Sequence, residues 1–249
     1  MPIIDLNCDM GEGFANDAEL MRYISSANVA CGFHAGDRQT MQWTIELAIK
    51  FNVAVGAHPG YPDRENFGRR PITMSPNEVF DITLEQIRSI REICKSLDCK
   101  LNHVKPHGAL YNQAASNPEL AAAIAEAVKT SDEKLILYGL AGSHLISEAE
   151  KLKIRAAGEA FADRTYRKDG SLTARTDANA MISDVERSVR QILQIIEQNQ
   201  VATIDGVEIP IKAETICIHG DTPNAVSFAS TIHSELSERD VTIAAVLPS

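Results

Sequence analysis

What the chain lacks narrows it before any motif is read. Its five cysteines, at positions 8, 31, 94, 99 and 217, are odd in number and form no Cys-x-x-Cys pair. That excludes a disulfide framework and a structural zinc site, and it fits a reducing compartment. No apolar run approaches the roughly 18 residues of a membrane-crossing helix, and the mean hydropathy is -0.14. No basic run or basic-aromatic stripe offsets a formal net charge of -10, a balance that repels a phosphate backbone. A cytoplasmic protein is expected, with neither a membrane nor a nucleic acid as partner. The opening "MPIIDLNCDM" agrees, placing Asp5 and Asp9 where a secretory signal would have basic residues and then an unbroken apolar stretch. Low-complexity segments and Pro/Gly/Ser-rich linkers are missing too, so residues 1–249 read as one domain.

Familiar chemical signatures are also absent. The chain has no Gly-x-x-x-x-Gly-Lys-Ser/Thr, no Gly-x-Gly-x-x-Gly after a strand, no Gly-x-Ser-x-Gly and no His-Glu-x-x-His. A nucleotide, if used, is not held by a familiar phosphate loop.

What is present is a repeating alternation. Short apolar runs occur at 3–7, 27–31, 53–57, 101–105, 135–139, 154–158 and 215–219. They are apolar on consecutive positions, as strands of a covered parallel sheet are. Helical spacing lies between them. Phe80, Leu84, Ile87, Ile90, Cys94 and Leu97 step by three and four behind a Ser75-Pro76-Asn77-Glu78 capping box. Ala178 to Ile196 repeat the spacing behind Asp177, and Ala225 to Leu236 behind Asp221. Shorter helices are predicted at 17–24, 37–51, 117–130 and 142–152. Strand then helix, seven times over, predicts an α/β fold closed as a seven-stranded (β/α) barrel, with an open doubly wound sheet as the alternative. The polar segments 60–74 and 160–176 are longer than ordinary connections, a mark of functional loops.

Both architectures bind ligands at the carboxyl ends of their strands. There the chemistry collects: Asp5, Asn7, Asp9 and Glu12 after the first strand; Asn28, Cys31, His34 and Asp37 after the second; His58 and Asp63 after the third. His103, Lys105 and His107 follow at the fourth, Glu159, Asp163 and Arg164 at the sixth, and His219 and Asp221 at the seventh. Singly, each has a plain explanation. Asp37 and Asp221 suit helix caps, Arg69 and Arg70 suit a solvated loop, Cys8 and Cys31 suit buried packing, and His144 and His233 fall in helical patterns. His103 lies within its strand, one step back from the chemistry. Collectively they are lopsided, because the strand entries "MP", "SS", "FN" and "CK" carry little charge. Such asymmetry points to a site, since a cup of ionisable groups costs stability unless it serves binding or catalysis. In "HVKPHGALYN", Lys105 can stabilise developing negative charge and His107 can move a proton near neutral pH. A divalent metal is left open, with Asp9, His34, His58, His107 and His219 as candidate ligands.

The blocks "DLNCDMGEGF", "SANVACGFHAGD", "GAHPGYPD", "FGRRP", "HVKPHGALYN", "FADRTYR" and "ICIHGDTP" run nearly the length of the chain. In order and spacing they resemble the LamB/YcsF family. The resemblance implies a seven-stranded barrel of the glycoside hydrolase/deacetylase type. It also implies ATP-dependent opening of the lactam 5-oxo-L-proline to L-glutamate, with ATP as co-substrate and 5-oxoprolinase subunits B and C as partners. By matching motif, the catalytic set would be Asp5, Asn7, Asp9, Glu12, His34, Asp37, His58, Lys105, His107 and His219. Glu159, Asp163, Arg164 and Asp221 would bind substrate. One departure is the short stretch "ANDAEL" after "GEGF", where family members usually have several more residues, one of them aromatic. Two other classes fit the residues, a stand-alone metal-dependent deacetylase or amidohydrolase and a non-catalytic substrate-binding subunit.

Overall fold

The structure is a computed structural model and describes residues 1–221 and 224–248. Among these, seven parallel strands close a barrel: β1 (Ile3–Met10), β2 (Ser26–Ala30), β3 (Ala54–His58), β4 (Leu101–Val104), β5 (Ile136–Leu140), β6 (Ala156–Phe161) and β9 (Thr215–Ile218). Closure comes from β9, which pairs with β6 on one side and β1 on the other. The doubly wound alternative is thereby excluded. Two features went unforeseen. An antiparallel hairpin of β7 (Gln200–Ala202) and β8 (Glu208–Pro210) sits outside the barrel, and β10 (Thr242–Ile243) adds in parallel to the start of β1.

Around the barrel run α1 (Asp17–Leu20), α2 (Arg38–Phe51), α3 (Pro76–Ser96), α4 (Gly108–Ser116), α5 (Pro118–Ser131), α6 (His144–Lys151), α7 (Val185–Gln198) and α8 (Ala225–Glu238). The capping box of α3 forms as the sequence predicts, Ser75 and Glu78 exchanging side-chain and backbone hydrogen bonds. The helix predicted at 17–24 is a single turn, ending at Leu20. Helix α4 occupies the interval before the predicted helix at 117–130. Helix α7 starts at Val185, not behind Asp177, because Asp184 accepts from the Arg187 amide and caps it there. The backbone ahead of it pairs instead with the loop after β6, through Thr165 N–H to Ala180 and Ile182 N–H to Asp163. That pairing fixes the loop bearing Asp163 and Arg164. No helix among the described residues is long and apolar enough to cross a membrane.

The core lies between barrel and helices, not within the barrel. Strand β1 alternates: Ile4, Leu6, Cys8 and Met10 join the apolar cluster under the helices. Asp5, Asn7 and Asp9 are their opposites in a period of two and point into the lumen. The expectation of consecutively apolar strands therefore fails for β1. The lumen is filled by Ser26, Asn28, His103, Tyr138 and Thr215, all fully buried.

One consequence is a steric notch. The His103 ring stacks on Tyr138, with centroids 4.1 Å apart, and fills the space opposite Gly56, where an added methyl carbon would lie 2.0 Å from His103 Nε2. Gly56→Ala should therefore destabilise the fold by about 1–3 kcal/mol or more, as overpacking of a rigid core does. The check is the denaturant midpoint of the purified variant, which should fall with an unchanged m-value.

Candidate active site

The lumen is a hydrogen-bonded column that rises to the carboxyl mouth. At its base Asp5 accepts from Ser25 Oγ at 2.6 Å, Ser26 Oγ at 2.8 Å and Thr215 Oγ1 at 2.6 Å. Burial pushes its pKa up, against these hydroxyl bonds. Asp5 is thus packed at the base of the column and does not line the cavity at the mouth. Above it, Asn7 donates to Glu159 Oε1 at 2.9 Å and to Thr215 Oγ1 at 2.7 Å. Asn28 donates to both Asn7 Oδ1 and Asp9 Oδ1, each at 2.8 Å. His103 Nε2 faces the Asn28 amide oxygen at 2.8 Å, and this oxygen only accepts, so the ring proton lies on Nε2. Burial and then the Lys105 charge push the His103 pKa down to about 3, keeping the ring neutral.

Lys105 ties the column together. Its ammonium, 2% exposed, lies 3.0 Å from Asn7 Oδ1, 3.0 Å from Asp9 Oδ1 and 2.8 Å from Glu159 Oε1. Burial works against its charge, but Asp9, Cys217 and Glu159 more than offset this and hold its pKa well above the ordinary value. Burial likewise opposes ionisation of Asp9, and His58 and Lys105 beside it hold its carboxyl well below the usual range. Tyr111 donates to Glu159 Oε2 at 2.6 Å. Asn7 and Glu159 are completely buried beneath Lys105, so they orient the ammonium, and neither lines the cavity at the mouth.

At the mouth Glu12, His34, His58 and His107 converge. His58 Nδ1 lies 2.7 Å from the Lys105 carbonyl oxygen, and His107 Nε2 lies 2.8 Å from that of Phe67. Carbonyls only accept, so each ring carries a proton there and turns its other nitrogen to the site. Those nitrogens, His58 Nε2 and His107 Nδ1, face each other at 2.9 Å. Glu12 Oε1 stands 3.3 Å from His107 Nδ1 and 3.1 Å from His34 Nε2. Burial, then His34 and His58, push the His107 pKa well down, while burial and Asp9 push Glu12 up to about 7. The close stacking demands glycine at position 68, with φ +63°, where a methyl carbon would lie 2.8 Å from His34 Cβ.

The rim supplies cations. His219 Nδ1 sits 2.8 and 2.9 Å from the two Asp163 oxygens, so Asp163 holds the ring and leaves Nε2 for the cavity. Arg164 is 5% exposed; its Nη2 donates to Thr173 O at 2.6 Å, and its Nε has no hydrogen-bond partner among the described residues. Arg69 reaches Asp221 at 2.6 Å and lies over the Phe67 ring, and Arg175 approaches Asp221 at 3.7 Å. Asp221 therefore anchors rim arginines, and the cap position of α8 is Asn224. Asp37, by contrast, is drawn out of the site. Its carboxylate accepts from the Thr40 amide at 2.8 Å and caps α2, and Asp37 does not line the cavity. Asp9, Glu12, His58, Lys105, His107, Arg164, His219 and Asp221 line a cavity of about 1410 Å³. The same cavity is lined by Tyr111, Arg69 and Arg175, which the sequence reading did not place in the site. Tyr111 stood within "HVKPHGALYN", but Arg69 and Arg175 carried no signal beyond long polar loops.

Comparison with known proteins agrees with the motifs. The LamB/YcsF family model matches residues 4–248. The chain belongs to the LamB/YcsF family. Relatives from Brevibacillus brevis and Bacillus cereus, both named as the A subunit of 5-oxoprolinase, are each 49% identical, over 98% of this chain and 98–99% of theirs. The crystal structure of a lactam utilization protein from Thermus thermophilus superposes with a TM-score of 0.92 at 40% identity, covering 98% of this chain and all of that one. A family 4 carbohydrate esterase from Streptomyces lividans, at 10% identity and a TM-score of 0.51 over 100% of this chain and 98% of its own, shares the barrel fold alone. In this LamB/YcsF chain, then, the polar lumen ends in a charged mouth.

Removing the ammonium from that lumen should be costly. Lys105→Met leaves Asp9 and Glu159 buried without their cation and should lower stability by about 3–5 kcal/mol at pH 7. The depressed pKa of Asp9 contributes stability above the ordinary carboxylate pKa, and this is lost as pH falls through its folded value. In the variant, protonation instead relieves carboxylate repulsion. The gap between wild type and variant should therefore narrow from about pH 7 to about pH 4.5, as read from denaturant midpoints at the two pH values.

Proposed function

We propose that this chain acts as the A subunit of an ATP-dependent 5-oxoprolinase, opening 5-oxo-L-proline to L-glutamate together with the B and C subunits. Supporting the reading is one juxtaposition: imidazole nitrogens of His58 and His107 beside ionised Asp9, under a cavity rimmed by arginines, in a chain 49% identical to proteins named for that role. Opening an unstrained five-membered lactam runs against a product whose amine and carboxylate re-close through proximity. ATP cleavage as co-reaction supplies the driving force.

In this reading the γ-phosphoryl group passes to the lactam oxygen and ADP leaves. Water then adds to the ring carbon, Asp9 or Glu12 orienting it and His107 taking its proton. The ring C–N bond breaks as nitrogen receives a proton, leaving an acyl phosphate. A second water releases phosphate and the free carboxylate. Arg164, with its unpartnered Nε, and Arg69 suit the substrate carboxylate or the transferred phosphate as planar anion holders. Lys105 keeps Asp9 ionised from below.

The test is reconstitution. The chain is purified with its partner subunits, and glutamate formed from 5-oxoproline is measured with and without ATP. Glutamate should appear only with ATP, and His107→Ala should lower kcat by about 100-fold or more, the scale of lost acid–base catalysis. Arg164→Ala should act chiefly on KM. No glutamate from the full set with ATP, or an undiminished His107 variant, would sink the reading.

A further inference from the structure

We infer that Glu12, His58 and His107 form the binding site of a divalent transition-metal ion of the zinc type, with its open coordination position facing the cavity. The inference deepens the reading above by naming an ion for the same site, though its geometric support stands apart from that activity.

The first support is the fixed state of the two rings. Each N–H is already engaged by a carbonyl oxygen, of Lys105 for His58 and of Phe67 for His107. Metal-bound imidazoles are oriented in the same way by a backbone or carboxylate acceptor on the far nitrogen. The remaining ring nitrogens face each other at 2.9 Å, an approach that two lone pairs would repel unless something positive, a proton or a metal ion, lies between them.

The second support is spacing. From Glu12 Oε1 the distances are 3.3 Å to His107 Nδ1 and 3.8 Å to His58 Nε2. With the 2.9 Å edge these bracket the separation of about 3.3 Å that bonds of about 2.0–2.1 Å impose on donors around a tetrahedral ion. The His58 and His107 planes stand at 85°, so their lone pairs arrive from different directions.

The third support is charge. Lys105 is spent on Asp9 and Glu159, and Arg69 and Arg175 on Asp221. Glu12, with a side chain 5% exposed, has only histidines within ion-pair distance among the described residues. A buried carboxylate with only imidazoles for company lacks a fixed cation. Two nitrogens and one oxygen favour zinc and its neighbours over magnesium, which prefers oxygen.

His34 has a different task. Its ring stacks on His107 in a parallel plane, at 3.8 Å and 2°. Its Nε2 lies 3.1 Å from Glu12 Oε1, and it positions that carboxylate. Asp9 Oδ2, 3.3 Å from His58 Nε2, borders the open position. With an ion bound, the lone pairs of Glu12 and His107 are taken up by it, so the proton of the attacking water passes to Asp9 or to His219 Nε2 in place of His107. The ion would supply a Lewis acid for a carbonyl oxygen or an acidified water.

The experiment uses the full chain stripped with chelator and titrated calorimetrically with Zn2+, Mn2+ and Mg2+ in turn. One Zn2+ per chain is expected, with Mg2+ far weaker. Co2+ should give the intense visible bands of a tetrahedral site. Glu12→Gln, His58→Ala and His107→Ala should each weaken Zn2+ binding by about 100-fold or more, and His34→Ala by about 10–100-fold. Should those variants fail to fold, the wild-type Tm decides, since Zn2+ must raise it. Absence of both heat and Tm shift overturns the inference, as does binding unchanged in folded His58 and His107 variants. Undiminished glutamate formation by a complex shown to be metal-free removes the ion from the reaction and leaves the proposed function standing. Stoichiometric zinc without glutamate formation does the reverse.

Discussion

A single buried ammonium organises the interior. Parallel barrels usually fill their lumen with branched aliphatic side chains, but here the inward positions carry carboxylates, amides and hydroxyls. Such a filling is tolerable only if every polar atom is matched and the net charge is compensated. Lys105 contributes to both, touching groups from β1, β6 and β9 at once. The apolar core is displaced outward to the sheet–helix interface, where it bears the hydrophobic share of stability.

This arrangement separates support from chemistry along one axis. Asp5 and its hydroxyl partners lock the base, Asn7, Asn28, His103 and Glu159 transmit order upward, and only the topmost groups meet a guest. Rigid supports of this sort keep reactive side chains in one geometry without reorganisation. The mouth then contrasts an ionised carboxylate, Asp9, with neutral imidazoles a few ångströms away, each set by its neighbours.

Much of this was legible in the residues. Seven apolar runs announced seven strands, and polar side chains at their carboxyl ends marked the mouth. Asp5, Asn7 and Glu159 were visible as part of the cluster, but sequence alone could not rank depth along β1 and β6. Residues two apart on one strand face the same way yet lie in different layers. Asp37 was ambiguous for another reason, since an aspartate after a strand is equally the start of a helix. The shorter α7 escaped because apolar spacing continues through 178–184, where loop pairing overrides helical preference. Arg69 and Arg175 were hidden by distance: only closure of the barrel brings 69, 175 and 221 to one rim.

The lower end of the barrel differs from the upper one. The Asn102 amide donates to the Val246 carbonyl oxygen, Ala244 N–H bonds to Ile4, and Val246 packs on Ile136, Tyr138 and Ala157. The C-terminal segment therefore floors the tube, while the charged cavity lies at its other end. Among the described residues the two rims thus divide their labour, one bracing the strands with backbone and apolar contacts and the other offering ionisable side chains to whatever approaches.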